Sequence, residues 1–296
     1  MRAIFQWKVG SRVLELGRRT LIMGIVNVTP DSFSDGGLYI DAEKAVARAE
    51  QLLEDGAAII DVGGESTRPG ATEPVSEEEE RRRVLPVIRD LKRRRPDAVV
   101  SVDTSKASVA RAAVDLGAEV VNDVSGFRWD PKMAKTLAEL KVGAVLTHAR
   151  GRPEEWRMLP PIGDPVLLVK RELRQWAETA TLAGIKRDRL LLDPGFGFGK
   201  NFEENYPLLA HFAELQQIGF PLLAGVSRKS FIGRTLARAG KDKDKNRDVE
   251  AAQRLYGTLA AEAALILKGV HIIRTHDVRF AVEAASVADA IVASGG

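Results

Sequence analysis

The chain has no cysteine, only four histidines, and few aromatic side chains, which make up 6% of its 296 residues. Without cysteine there is no disulfide, no thiolate metal centre and no thiol nucleophile. Neither sign of charge dominates: 44 basic residues stand against 41 acidic ones, for a net charge of +3. No broad positive field therefore marks the chain as a nucleic-acid binder. The apolar runs fall far short of the roughly 20 residues that span a membrane, so no membrane contact is expected. Residues 1–8 have neither the uninterrupted apolar core nor the small-residue cleavage site of a secretory signal, and the cytoplasm is the expected location.

What is present is a repeating grammar. Residues 21–26 form an apolar run that reads as a strand buried on both faces, and the pattern changes abruptly to polar and turn-forming residues at Asn27. Pro30 and Gly36-Gly37 then exclude strand or helix until a helical pattern begins near Asp41. The same change recurs in residues 58–64 around Asp61, 99–104 at Asp103, 120–125 at Asn122-Asp123, 143–149 at His148, 190–195 at Asp193, 221–227 before Arg228-Lys229, and 269–277 at Arg274 and His276. With an amphipathic helix after each, these are eight βα units, the number that closes a TIM barrel with its chemistry at the carboxyl ends of the strands. The fold expected is a single (β/α)8 TIM barrel, residues 21–296, in one domain spanning residues 1–296. Residues 3–16 alternate about Gly10-Ser11 and read as an N-terminal β-hairpin, within residues 1–20, that covers the bottom of the barrel.

Helix starts are signalled by Ser76 with Glu79, Asn201 with Glu204, Asp130-Pro131 and Asp164-Pro165. Residues 77–83 place glutamates four positions before arginines, a solvated helix face with ion pairs of about 0.3–0.5 kcal/mol each. Loops 29–41 and 64–75 are long and lie at the reactive face, residues 240–248 are a polar insertion, and residues 249–267 read as one long alanine-rich helix.

An ionised Asp193 at the end of an apolar strand needs a partner. A ligand offering two adjacent N–H groups would supply one, and so would a neighbouring lysine inside the core. Gly195, Gly197 and Gly199-Lys200 look like a phosphate loop, but Asn201 stands where such a loop has Ser or Thr. His148 reads as a satisfied core histidine. Asp61 reads as part of a binding shell or as filling for a barrel layer.

Five segments, residues 27–37, 64–70, 193–200, 227–230 and 274–278, taken in order at successive strand ends, resemble the dihydropteroate synthases of the folate pathway. The resemblance covers nearly the whole chain. It implies an enzyme, a transferase that condenses 6-hydroxymethyl-7,8-dihydropterin diphosphate with p-aminobenzoate to give 7,8-dihydropteroate and diphosphate. It implies a pterin site of Asp61, Asp103, Asn122, Asp193, Lys229 and Arg274, with Asp193 the bidentate anchor, Arg274 able to stack on the ring, and Asp103, Lys229 and Arg274 catalytic. The diphosphate would meet Asn27, Arg68, Arg274 and His276 at the start of the last helix. The p-aminobenzoate would meet Phe33, Thr67, Arg68, Pro69, Phe198 and Ser227, with Arg228 nearby. Mg²⁺ would be held by Asn27 with Asp31 or Asp35. Helices around residues 249–267 would form a homodimer. One departure from the family stands at Ala149, where a larger side chain usually lines the pterin pocket. A pterin-dependent methyltransferase acting on methyltetrahydrofolate is the alternative enzyme: it would share Asp193 and Asn122 but would not need residues 31–37 or 227–229. A degenerate barrel kept for binding alone is the non-enzymatic alternative.

Overall fold

The computed structural model describes residues 2–29, 38–65, 75–240 and 248–295. Strands β1 (Phe5–Val9) and β2 (Arg12–Leu16) form an antiparallel hairpin with Phe5 opposite Leu16 and Gly10 at φ +56° in the turn. Eight parallel strands follow: β3 (Leu21–Asn27), β4 (Ile59–Gly63), β5 (Val99–Asp103), β6 (Val120–Asp123), β7 (Gly143–Thr147), β8 (Leu190–Asp193), β9 (Leu223–Ala224) and β10 (Ile272–Thr275). They pair in chain order, with β10 between β9 and β3. A parallel bridge from Leu192 to Leu222 joins β8 to the approach of β9 and closes the ring. The helices are α1 (Leu38–Glu54), α2 (Glu77–Arg94), α3 (Ala107–Asp115), α4 (Met133–Leu140), α5 (Pro165–Leu182), α6 (Asn205–Ala210), α7 (Ser230–Ala239), α8 (Leu255–Leu267) and α9 (Val278–Ser294). This is the expected (β/α)8 barrel. Among the described residues no helix is long and apolar enough to cross a membrane.

The strands carry two apolar faces because both are covered. Outward residues such as Ile22, Ile60, Val62, Val100 and Val102 pack under the helices. Inward residues near the strand starts, among them Met23, Ile59, Val99, Val145, Leu191 and Ile272, form a separate cluster with Trp7, Val9 and Leu16 of the hairpin. The Trp7 indole N–H donates to the Arg189 carbonyl at 2.9 Å, so the buried ring leaves no polar atom unpaired. Gly143 makes room for the plug: a Cβ there would stand 2.7 Å from Val9 Cγ1.

Local signals held where no tertiary partner competed. Ser76 accepts from Glu79 N at 3.2 Å, and Asp164 accepts from Leu167 N at 2.9 Å with Pro165 opening α5. Asp130 does not cap the helix after it. Its carboxylate takes the amide of Ala107 at 2.8 Å and that of Lys132 at 2.8 Å, and so caps α3 from a neighbouring loop, while α4 starts only at Met133. Asn201 likewise starts no helix. Glu204 reaches back to its amide at 2.6 Å but also binds Ile162 N at 2.6 Å, and α6 begins at Asn205. The expected helix over 249–267 is also shorter: a 3₁₀ turn, Ala251–Gln253, precedes α8. There the Arg254 guanidinium takes the Val249 carbonyl at 2.6 Å, using an acceptor that a continuous helix would have needed.

Candidate active site

The floor residues Ile59, Leu191 and Ile272 are each followed two positions later by Asp61, Asp193 and Arg274, and Val120 by Asn122. Side chains on a strand repeat every second residue, so these four point into the barrel one layer above the apolar floor. Asp103, two positions beyond Ser101, rises to the rim. The register sets Asp61 beside Ser101 and Asp103 beside Asn122. The mixed layer is held together by Arg274, whose Nε donates to Asp61 Oδ2 at 2.6 Å and whose second amino group donates to Asp103 Oδ2 at 2.6 Å. Asn122 Nδ2 also donates to Asp61 Oδ2, at 2.9 Å. Two acceptors, Asp61 Oδ1 and Asn122 Oδ1, are buried without a partner among the described residues. Leaving acceptors unpaired at this depth costs about 1–3 kcal/mol each.

Burial is the main cause that pushes the Asp103 carboxyl up to about 7; Arg274 opposes it and Asp61 adds to it. Asp193, with Oδ1 accepting from Gly195 N at 2.7 Å, is pushed up to about 6 by burial, against the pull of that bond and of Lys229. Burial and then Arg274 bring Lys229 down to about 8. Arg274 itself is held above its ordinary range, since Asp61 and Asp103 outweigh the effect of burial. The guanidinium fork is thus taken up edge-on by two carboxylates, which fixes the plane of the group.

Above this layer opens a cleft of about 570 Å³ whose lining includes Asn27, Asp103, Phe198, Ser227, Lys229 and Arg274. Asn27 ends β3 and Lys229 is the residue before α7. The Lys229 ammonium stands 3.8 Å from the Phe198 ring centroid. Ser227 Oγ and His276 Nδ1 are 2.9 Å apart, and the His276 amide donates to the same hydroxyl at 3.2 Å, so residues assigned to two different substrates meet at one point. Arg228 also lines the cleft: in a left-handed conformation, φ +57°, it grips Asp277 through two bonds of 3.0 and 2.6 Å and ties the β9 and β10 ends together.

Asp31, Phe33, Asp35, Thr67, Arg68 and Pro69 lie outside the described residues, as do residues 241–247 of the polar insertion. Asn27 is therefore the described member of the expected magnesium shell, and among the described residues no three His, Cys, Asp or Glu side chains are grouped as a metal site. His148 is wholly buried, stacked on Trp176 at 5.0 Å and bonded to Glu172 at 3.0 Å, with burial lowering it to about 4. It is a core histidine as expected, but only its Nε2 is satisfied: Nδ1 is buried without a partner among the described residues. Ala149 packs in a small cluster with Val124, Trp156 and Phe198, and Trp156 also lines the cleft. Sequence reasoning missed Glu65, which lines the cleft, accepts from Val75 N at 3.3 Å and pairs with Lys106 at 2.7 Å. No local pattern could reveal it, because its partners come from other loops.

A family model described as pterin binding enzyme matches residues 23–276, from the first barrel strand through His276. The chain belongs to the pterin-binding enzyme family. This pterin-binding enzyme is 43% identical over 273 residues to the dihydropteroate synthase of Escherichia coli strain K12, with 92% of each chain covered. It is similar to the solved dihydropteroate synthase of Xanthomonas albilineans with 4-aminobenzoic acid, at 43% identity and a TM-score of 0.86, covering 97% of this chain and 99% of that one. A structure of the Xanthomonas enzyme in complex with 7,8-dihydropteroate matches at 40% identity and a TM-score of 0.82, with 97% and 99% covered.

Proposed function

We propose that this pterin-binding enzyme is a dihydropteroate synthase. The observation that carries the reading is the polar layer in which Asp61, Asn122 and Arg274 are locked together, with Arg274, Asp103 and Lys229 opening onto the cleft above it. A pterin presents adjacent N–H donors along its amide edge, and Asp193 and Asn122 at the same level suit them. Lys229 meets the ring from the Phe198 side.

In the reaction the bond between the pterin methylene carbon and the diphosphate oxygen breaks, and its electron pair leaves with diphosphate. The lone pair of the p-aminobenzoate nitrogen then forms the new C–N bond, and the nitrogen gives up a proton to solvent. No protein nucleophile is required. An ionised Asp103 stabilises the cationic methylene that develops, while Arg274, His276 and the exposed amides at the start of α9 hold the anionic leaving group. Ser227 and the face of Phe198 receive p-aminobenzoate, together with Phe33, Thr67, Arg68 and Pro69. Mg²⁺ suits the donor set: it favours one or two hard oxygen ligands from the protein and completes its shell with water and phosphate oxygens. The Asn27 side-chain carbonyl, with Asp31 or Asp35, would hold it, where it would neutralise charge on the diphosphate.

Identity of 40% or more over nearly the full length of dihydropteroate synthases favours the synthase over a methyltransferase that shares only the pterin anchor. A homodimer through α8 and α9 is part of the reading. It is supported by exposed apolar residues repeating along one side of each helix, Tyr256 and Leu267 on the first and Phe280, Val287 and Ile291 on the second. Sedimentation of the wild type against a Phe280→Asp, Val287→Asp variant tests it: a dimer that becomes a monomer supports the interface, and a wild-type monomer removes it. The function itself is tested by diphosphate release with each substrate omitted in turn. Release should require both, and release that ignores p-aminobenzoate overturns the assignment.

A further inference from the structure

The glycine-rich run that ends in Lys200 has a use opposite to the one its composition suggests. A phosphate loop offers amide N–H groups to an anion. Here three of the amides are already committed: Gly195 N to Asp193 Oδ1 at 2.7 Å, Gly197 N to Asn205 Oδ1 at 2.7 Å, and Phe198 N to the Gly195 carbonyl at 3.1 Å. What converges instead is carbonyl oxygen. Lys200 Nζ donates to the carbonyls of His148 at 3.2 Å, Gly195 at 2.8 Å and Phe198 at 3.3 Å, three donors for three acceptors. The glycines make that possible. Gly195, Gly197 and Gly199 all have positive φ, and a Cβ on Gly195 would lie 2.0 Å from the His148 carbonyl oxygen.

We propose that Lys200 is a positioning residue for the pterin site, a cation built into the chain that draws three carbonyls to one point behind the cleft and so fixes Asp193 and Phe198. Each bond leads to a site residue. Gly195, whose carbonyl Lys200 holds, carries on the other side of its Cα the amide that orients the Asp193 carboxylate, and Phe198 carries the ring beneath Lys229. His148 belongs to the end of the neighbouring strand, and its own amide donates to the Asp193 carbonyl at 2.9 Å. Lys200 is 6% exposed, so it acts through these groups and not on substrate. Burial brings it down to about 7, with Lys229 and Arg150 pushing the same way and Asp193 and Glu172 opposing them.

The proposal rests on the pterin reading above and extends it to a residue outside the cleft. The test is calorimetric binding of 6-hydroxymethylpterin to the wild type, to Lys200→Met, which keeps the stem and loses the donors, and to Lys200→Ala with and without propylammonium. Far-UV circular dichroism is recorded on each. Lys200→Met should keep its fold at 25 °C and bind pterin at least tenfold more weakly, and propylammonium, but not propanol, should return Lys200→Ala to within about threefold of wild type. Binding by Lys200→Met within twofold of wild type overturns the proposal. Should Lys200→Met not fold, Lys200→Ala prepared in propylammonium decides: loss of pterin binding with intact dichroism on removing the amine supports positioning, and joint loss of both, or of neither, overturns it. A wild type that binds no pterin overturns instead the function on which the proposal rests.

Discussion

The two ends of one barrel are built from the same strands and differ in almost everything else. At the amino end, Ile59, Val99, Leu191 and Ile272 close on Trp7, Val9 and Leu16 in a dry cluster that asks nothing of a ligand. One side-chain layer higher, Asp61, Asn122, Asp193 and Arg274 form a charged layer in which two acceptors have no partner among the described residues. The lower layer stabilises the fold and the upper one draws on that stability, since a buried charged cluster gains little over an apolar one of the same volume. The contrast teaches that the boundary between scaffold and chemistry lies within each strand, at a spacing of two residues.

Arg274→Ala should break the contrast most severely. It leaves Asp61 and Asp103 buried without their cation, so unfolding free energy in urea should fall by about 3–5 kcal/mol. The kcat/KM for diphosphate release should fall by roughly 10²–10³-fold. Trp7→Ala, at the opposite end, should also destabilise by about 3–5 kcal/mol in the same titration, yet leave kcat/KM at 25 °C within about twofold of wild type. An activity loss as large as that of Arg274→Ala would show that the floor and the rim are not separable.

The pH profile of kcat/KM sharpens the comparison on the polar side. In the proposed reaction Asp103 acts as a carboxylate, so activity should fall as pH drops below about 7, and Lys229 acts as a cation, so activity should fall as pH rises above about 8. Asp103→Asn should lower turnover more than pterin affinity and should remove the acid limb, leaving only what Asp193 contributes near 6. An equal loss in turnover and affinity would reduce Asp103 to a binding group. The smallest effect belongs to Ser227→Ala. The lost hydroxyl bond to His276 should raise KM for p-aminobenzoate by about two- to tenfold, in line with a net hydrogen bond of about 0.5–1.5 kcal/mol, with pterin binding unchanged by calorimetry.

Much of the molecule was legible beforehand because the signals were local. Apolar runs ending in a polar residue marked the barrel strands, and alternation about Gly10 marked the hairpin plug. Ser76 and Asp164 capped the helices that follow them. Where a side chain found a distant partner, local reading failed. Asp130 caps α3 instead of α4, and Arg254 takes the Val249 carbonyl and delays α8 to Leu255. Arg228, expected near the second substrate, lines the cleft and is also tied to Asp277, a contact its neighbours in sequence do not signal.

The sequence alone determined that eight strands would end in polar residues facing one mouth, because the period of a strand and the place where a run stops are properties of the chain itself. Only the tertiary structure decided that Arg274 bridges Asp61 and Asp103, that Asn122 shares the same oxygen, and that a glycine run turns its carbonyls toward Lys200. Those contacts depend on strand register and on closure of the ring, which bring together residues 171 and 213 positions apart along the chain. No local spacing encodes such distances.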